Sequence, residues 1–223
     1  MKTIELSQLH SDPNLYQQIK ETLDQGGTIC VPGESGYKLM ADLNSPTAIT
    51  SMLQAKRRVK NAPSLVFVPD ESWVEKVASF VSSQARVLMK ALWPGQVTLL
   101  FKASDDLHPK VRKPLTKSKG WLGIRIPDSE ISSNIIKTFG KPVLVSSANL
   151  AKKGGAHSAA QVKKNFGRTV DLMVDAGDLE IGENSTLVDV SNSKTSIIRT
   201  GAVSEETIMN TLKLKAGFEK SEA

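Results

Sequence analysis

With 223 residues, 39% of them hydrophobic and 23% charged, the chain can bury a core as one domain and is too apolar to stay disordered. A single cysteine, Cys30, excludes an internal disulfide and a thiolate metal cage, and the three histidines lie too far apart to show ligand spacing. Lys plus Arg number 29 against 23 Asp plus Glu, a formal charge of +6 that favours anionic partners without choosing among nucleotides, nucleic acid and phosphorylated metabolites.

The opening MKTIELSQLH has no apolar stretch of the signal-peptide kind, and no run approaches the roughly 18 apolar residues of a membrane span. A cytoplasmic location and no membrane partner are expected. Asp12-Pro13 starts a helix, with Asp12 at the N-cap and Pro13 in the first turn. Leu15, Ile19 and Leu23 give that helix one apolar face; Gly26-Gly27 ends it, and residues 28–31 read as a short buried strand. Ser45-Pro46 repeats the signal before a helix that turns Ile49, Met52 and Leu53 inward.

Strand-like runs follow at 65–68, 97–101, 122–126, 142–145, 172–174, 186–190 and 196–198, with helical patterns at 73–81, 84–92, 130–139 and 159–166. Ser204 caps a last helix through Leu212, and the charged tail over 214–223 stands apart from a single domain over 1–213. Strands crowd together over 97–126 and 172–198, so strict strand–helix alternation fails. The expectation is an α/β fold: a twisted, mixed to parallel open sheet with helices packed on it.

Three polar clusters follow strands or end a helix, where loops commonly hold ligands. Pro32-Gly33-Glu34-Ser35-Gly36-Tyr37 offers close backbone approach and two hydroxyls, or is simply a tight turn. Lys56-Arg57-Arg58-Val59-Lys60 concentrates cations suited to phosphate, although cations at a helix end also relieve the macrodipole. Ser146-Ser147-Ala148-Asn149 suits a polar ligand, or starts a turn toward Gly154-Gly155.

Together these clusters resemble the YrdC-like family, in its short single-domain form. That family has a proline-threonine-acid-threonine/serine loop after the first strand, a Lys-x-Arg motif ending the next helix and a later Ser-x-Asn motif. Pro32–Tyr37, Lys56-Arg57-Arg58 and Ser147-Ala148-Asn149 occupy those places. Trp93-Pro94-Gly95-Gln96-Val97-Thr98, Gly123-Ile124-Arg125-Ile126-Pro127, Ser185-Thr186-Leu187-Val188-Asp189 and Ile198-Arg199-Thr200-Gly201 follow in the same order, so the resemblance spans about 12–213.

The resemblance implies a nucleotidyltransferase that makes threonylcarbamoyl-AMP from L-threonine, bicarbonate and ATP, releases pyrophosphate and serves threonylcarbamoyl-adenosine modification of tRNA. It implies Lys56 and Arg58 as catalytic cations, with Ser147, Asn149, Ser185 and Arg199 joining them on ATP. Mg²⁺ would be bound mainly through that ATP. Ser35, Tyr37 and Arg125 would face the amino acid, and partner proteins of the tRNA-modification pathway are implied. The non-catalytic alternative is a tRNA-, double-stranded RNA- or nucleotide-binding protein. Its support is the acid-free basic loop Lys110, Arg112, Lys113, Lys117 and Lys119.

Departures from the family pattern concentrate at the amino-acid end. Gly33 replaces a threonine, Lys38 a glycine or small residue, Val59 a proline, Phe67 a histidine and Ala151-Lys152 a Ser-Gly pair. A diverged paralogue with intact nucleotide binding and altered amino-acid choice is therefore expected.

Overall fold

The computed structural model describes residues 1–56, 64–116, 120–150, 157–192 and 194–218, with side chains through Lys213. Its strands are β1 (Lys2–Glu5), β2 (Thr28–Val31), β3 (Lys38–Asp42), β4 (Ser64–Phe67), β5 (Val97–Lys102), β6 (Trp121–Arg125), β7 (Val143–Ser147), β8 (Leu172–Asp175), β9 (Thr186–Asp189) and β10 (Ser196–Arg199). The helices are α1 (Leu6–Ser11), α2 (Asn14–Asp24), α3 (Pro46–Ala55), α4 (Val74–Val77), α5 (Ser83–Leu92), α6 (Pro109–Leu115), α7 (Glu130–Phe139), α8 (Ala159–Phe166) and α9 (Glu205–Phe218). All ten described strands form one sheet in the order β1-β8-β2-β3-β7-β4-β6-β5-β9-β10. Four pairs are parallel (β1 with β8, β2 with β8, β4 with β6, β5 with β9) and the rest antiparallel, so the mixed α/β sheet expected from the sequence is what forms.

Local signals fix several helix starts. The Ser45 side chain accepts from Ala48 N and the Ser82 side chain from Ala85 N, each satisfying an orphan donor of the first turn. The start of α2 differs from expectation: Asp12 Oδ1 does accept from Asn14 N, but Pro13 occupies the cap and the helix begins at Asn14.

Besides α6, taken up with the site below, five elements depart from the sequence reading. β1 and α1 escaped it because only Ile4 and Leu9 are buried there, too few to show a period. β3 escaped it because Lys38 and Asp42 flank an apolar core of three residues, Leu39-Met40-Ala41. The helix expected over 73–81 shrinks to a 3-10 turn (Glu71–Trp73) and α4, since Ala78 bridges to Ala103 and Ser79 N donates to Lys102 O. The last helix runs past Leu212 to Phe218.

One face of the sheet is covered along its length. Cys30, Leu39, Leu144, Val66, Ile124, Leu99 and Val188 pack there against Ile49, Leu88, Val162, Phe166 and Ile208 of α3, α5, α8 and α9. The other face is covered over one half only. Ile29, Val31, Met40, Val143 and Leu172 meet Leu9, Ile19, Leu23, Ile135, Ile136 and Phe139 of α1, α2 and α7. Over β4, β6, β5 and β9 that face forms the floor of an open cavity.

Candidate functional site

The cavity holds about 570 Å³, within the range of small-molecule sites. Strand alternation supplies its floor: Lys38 on β3, Val145 and Ser147 on β7, Leu65 and Phe67 on β4, Gly123 and Arg125 on β6, Thr98 and Leu100 on β5, and Leu187 on β9. Glu34, Ser35, Lys56, Asn149, the stretch Glu183-Asn184-Ser185 and Arg199 form the walls. Gly182 lets two of these walls touch: a Cβ there would lie 1.9 Å from the Glu34 carbonyl oxygen, so only glycine fits without moving backbone.

At one end, Lys56 stands at the C-cap of α3 with its side chain buried. Its ammonium donates to the Ser147 carbonyl and, at 3.4 Å, to Asn149 Oδ1, and the Ser147 hydroxyl donates to the same amide oxygen at 2.5 Å. Lys56 and the neighbouring pair Ser147 and Asn149, 91 and 93 residues further along the chain, are thereby fixed around one point. Opposite them, the Thr98 and Ser185 hydroxyls share a hydrogen bond of 2.8 Å, and Arg199 Nη2 donates to the Ser185 carbonyl at 2.7 Å. Five of the six residues that the resemblance assigns to ATP line the cavity: Lys56, Ser147, Asn149, Ser185 and Arg199. Arg58 lies outside the described residues.

The amino-acid end differs from expectation in two places. Tyr37 is fully buried and does not line the cavity. Its hydroxyl donates to Gly177 O at 2.7 Å and accepts from Ala176 N at 2.9 Å, and burial pushes the phenol up to about 12. Tyr37 ties the loop before β3 to the segment after β8. Arg125 does line the cavity, but its guanidinium is already engaged. Nε donates to Gly95 O at 2.6 Å, and Nη2 contacts Glu34 Oε1 at 2.7 Å and Asp128 Oδ1 at 2.6 Å. The Trp93-Pro94-Gly95 turn is what presents that carbonyl: Trp93 Nε1 donates to Val97 O and Gly95 N to Ile126 O. Phe67, in the place of the family's histidine, lies under the guanidinium with its ring centroid 5.7 Å away.

Ser35 lines the cavity, as expected, and receives a hydrogen bond of 2.7 Å from Lys38 Nζ. Desolvation pulls the Lys38 ammonium below the ordinary lysine value; Glu34 acts against this and Arg125 with it. Lys38 and Glu34 are site residues to which the sequence reading gave no role, and the signal for Lys38 was its departure from the family pattern. The basic stretch expected as a loop is helical over Pro109–Leu115, with Arg112 paired to Asp105; Lys117 and Lys119 lie outside the described residues. Its described residues form no part of the cavity lining.

The Sua5/YciO/YrdC family model, described as "Telomere recombination", matches residues 21–201. The chain belongs to the Sua5/YciO/YrdC family. It is 30% identical over 199 residues to the threonylcarbamoyl-AMP synthase of Bacillus subtilis, which covers 89% of this chain but 56% of that protein. The chain therefore spans little more than half of that relative. Two solved structures share the fold. Sua5 of P. abyssi in complex with L-threonine superposes with a TM-score of 0.81 at 23% identity, over 94% of this chain and 60% of that one. YciO of E. coli superposes with a TM-score of 0.74 at 24% identity, over 86% and 92% of the two chains.

Proposed function

We propose that this Sua5/YciO/YrdC member binds ATP and an amino acid together in the half-sheet cavity. There it forms a carbamoyl adenylate of that amino acid, threonylcarbamoyl-AMP or a close analogue, from bicarbonate and ATP with release of pyrophosphate. The observation that carries the reading is the convergence of Lys56, Ser147 and Asn149 on one point, across the floor from Ser185 and Arg199. Relatives named threonylcarbamoyl-AMP synthase support the reaction class. In that role the product would serve threonylcarbamoyl modification of tRNA adenosine.

The chemistry asks for positioning and charge neutralisation rather than a covalent nucleophile. The amine of the amino acid attacks bicarbonate with loss of water, or CO₂ with loss of a proton, to give a carbamate. A carbamate oxygen then attacks the α-phosphorus, and pyrophosphate leaves. Lys56 and Arg199 bring fixed positive charge to the phosphates, while the Ser147 and Ser185 hydroxyls and the Asn149 amide offer hydrogen bonds that orient them. Because Lys56 is buried, its charge acts through a medium less polar than water and is felt more strongly.

The donors present fit a Mg²⁺ ion that arrives on phosphate oxygens. Ser147, Ser185, Thr98 and Asn149 supply neutral oxygens, and among the described residues no group of three His, Cys, Asp or Glu is placed to hold a metal alone. When bound, the ion would supply charge neutralisation on the departing pyrophosphate.

The test is pyrophosphate release by the full chain with Mg²⁺ and ATP. Release that requires both bicarbonate and an amino acid is expected. Absence of release with every amino acid tried rejects the reading.

A further inference from the structure

Four cations reach the cavity among the described residues, and they are not equivalent. Lys56 is held by Ser147 and Asn149, and Arg199 by the Ser185 carbonyl. Arg125 is shared by two carboxylates, Glu34 and Asp128, so a third carboxylate arriving there meets two negative charges against one positive. Lys38 differs from Arg125: its recorded partner is a neutral hydroxyl, Ser35 Oγ at 2.7 Å, and it makes no ion pair among the described residues. Glu34, whose charge acts on it, has Oε1 committed to Arg125. A partly buried ammonium held in no ion pair gains more from an incoming anion than a paired one does.

Its position is equally specific. Lys38 opens β3 directly opposite Ser147 of β7, so its backbone lies one strand spacing, about 4.8 Å, from the residue that anchors the Lys56–Asn149 cluster. Room for its stem comes from Gly33. A Cβ there would stand 2.8 Å from Lys38 Cγ and 3.2 Å from Cε. The two departures from the family pattern in this loop are therefore one structural change, and its product is a cation on the cavity floor.

We propose that Lys38 and Ser35 form a carboxylate subsite, and that it, rather than Arg125, anchors the amino-acid substrate. This rests on the proposed function for the identity of the ligand and deepens it by naming the group that is gripped. The carboxylate has two sources: the α-carboxylate common to all amino acids, or the side-chain carboxylate of an acidic one.

The experiment is calorimetric titration of the full chain, with Mg²⁺ and α,β-methylene-ATP present. The ligands are L-threonine, L-threoninamide, L-aspartate and L-glutamate, tested on the wild type, Lys38→Met and Lys38→Arg. Binding of threonine but not threoninamide assigns the α-carboxylate; binding of aspartate or glutamate but not threonine assigns the side chain. Under either, Lys38→Met should weaken amino-acid binding at least tenfold and Lys38→Arg should restore most of it, while affinity for the ATP analogue stays within twofold. Equal amino-acid affinity in wild type and Lys38→Met overturns the proposal, and so does failure of the wild type to bind any of the four ligands. Pyrophosphate release, measured separately, reports on the proposed function. Intact release with lysine-independent binding removes the subsite alone; lysine-dependent binding without release removes only the reaction.

Discussion

Gly33 and Lys38 occupy one space: the lysine stem lies where a side chain at position 33 would have to go, with only 2.8 Å between a Cβ at 33 and Lys38 Cγ. Overpacking of this kind costs about 1–3 kcal/mol when the neighbour cannot give way. Gly33→Ala should therefore destabilise the wild type by about 1 kcal/mol. It should cost much less on a Lys38→Ala background, where the stem is gone. Urea unfolding of the four proteins measures the coupling, expected at about 0.5 kcal/mol or more. Additive effects would show that the two positions do not share space.

The Tyr37 hydroxyl is a structural tie, and its removal separates structure from binding. Tyr37→Phe leaves the Ala176 N–H and Gly177 carbonyl without their partner and should cost about 1–3 kcal/mol of stability. Affinity for ATP should not change, because Tyr37 does not line the cavity. A loss of nucleotide affinity with little loss of stability would return Tyr37 to the site.

The same residue sets an alkaline dependence. A phenol raised from 10 to about 12 in the folded state keeps its proton at pH values where the unfolded chain has lost it. That contribution is complete below pH 10 and is lost as pH rises toward 12. The wild type should therefore lose stability across this window faster than Tyr37→Phe, so the gap between them narrows. The Cys30 thiol, also pushed up to about 12 by burial, is present in both proteins and cancels in the comparison. Parallel pH profiles would contradict the assignment.

Thr98 and Ser185 are joined by one hydrogen bond between buried floor and cavity wall. Thr98→Val keeps the shape and removes the hydroxyl. It should reduce ATP affinity by about 1 kcal/mol, roughly fivefold, by releasing Ser185 and with it the carbonyl that holds Arg199. Ser185→Ala in the same background should add little. Fully additive losses in a titration of the double variant would show that the two hydroxyls act independently.

Much of this site was legible in the sequence, and the reasons differ by residue. Lys56, Ser147 and Asn149 could be paired in advance because strand ends and helix ends carry ligands, and the ordered motifs matched a family pattern. The burial of Tyr37 was not legible, because a tyrosine after a glycine loop looks the same in sequence whether its hydroxyl faces a ligand or the Gly177 carbonyl. Arg125, expected to face the amino acid, lines the cavity, yet its charge is taken up by Glu34, 91 residues away, and by Asp128. Pairings at such separation follow from strand order, which local periodicity does not specify. Lys38 was visible as an anomaly, but its meaning depended on Gly33, and that contact exists only once the loop closes onto β3.

The central claim is that Lys56, Ser147 and Asn149 together grip a triphosphate. Titration of Mg²⁺ and ATP analogue into wild type and Lys56→Met tests it most directly. A hydrogen bond to a charged group contributes about 1.5–3 kcal/mol, so the variant should bind roughly 10- to 150-fold more weakly while the wild type shows one saturable site. Equal affinity in the two proteins, or no binding by the wild type, would contradict the account.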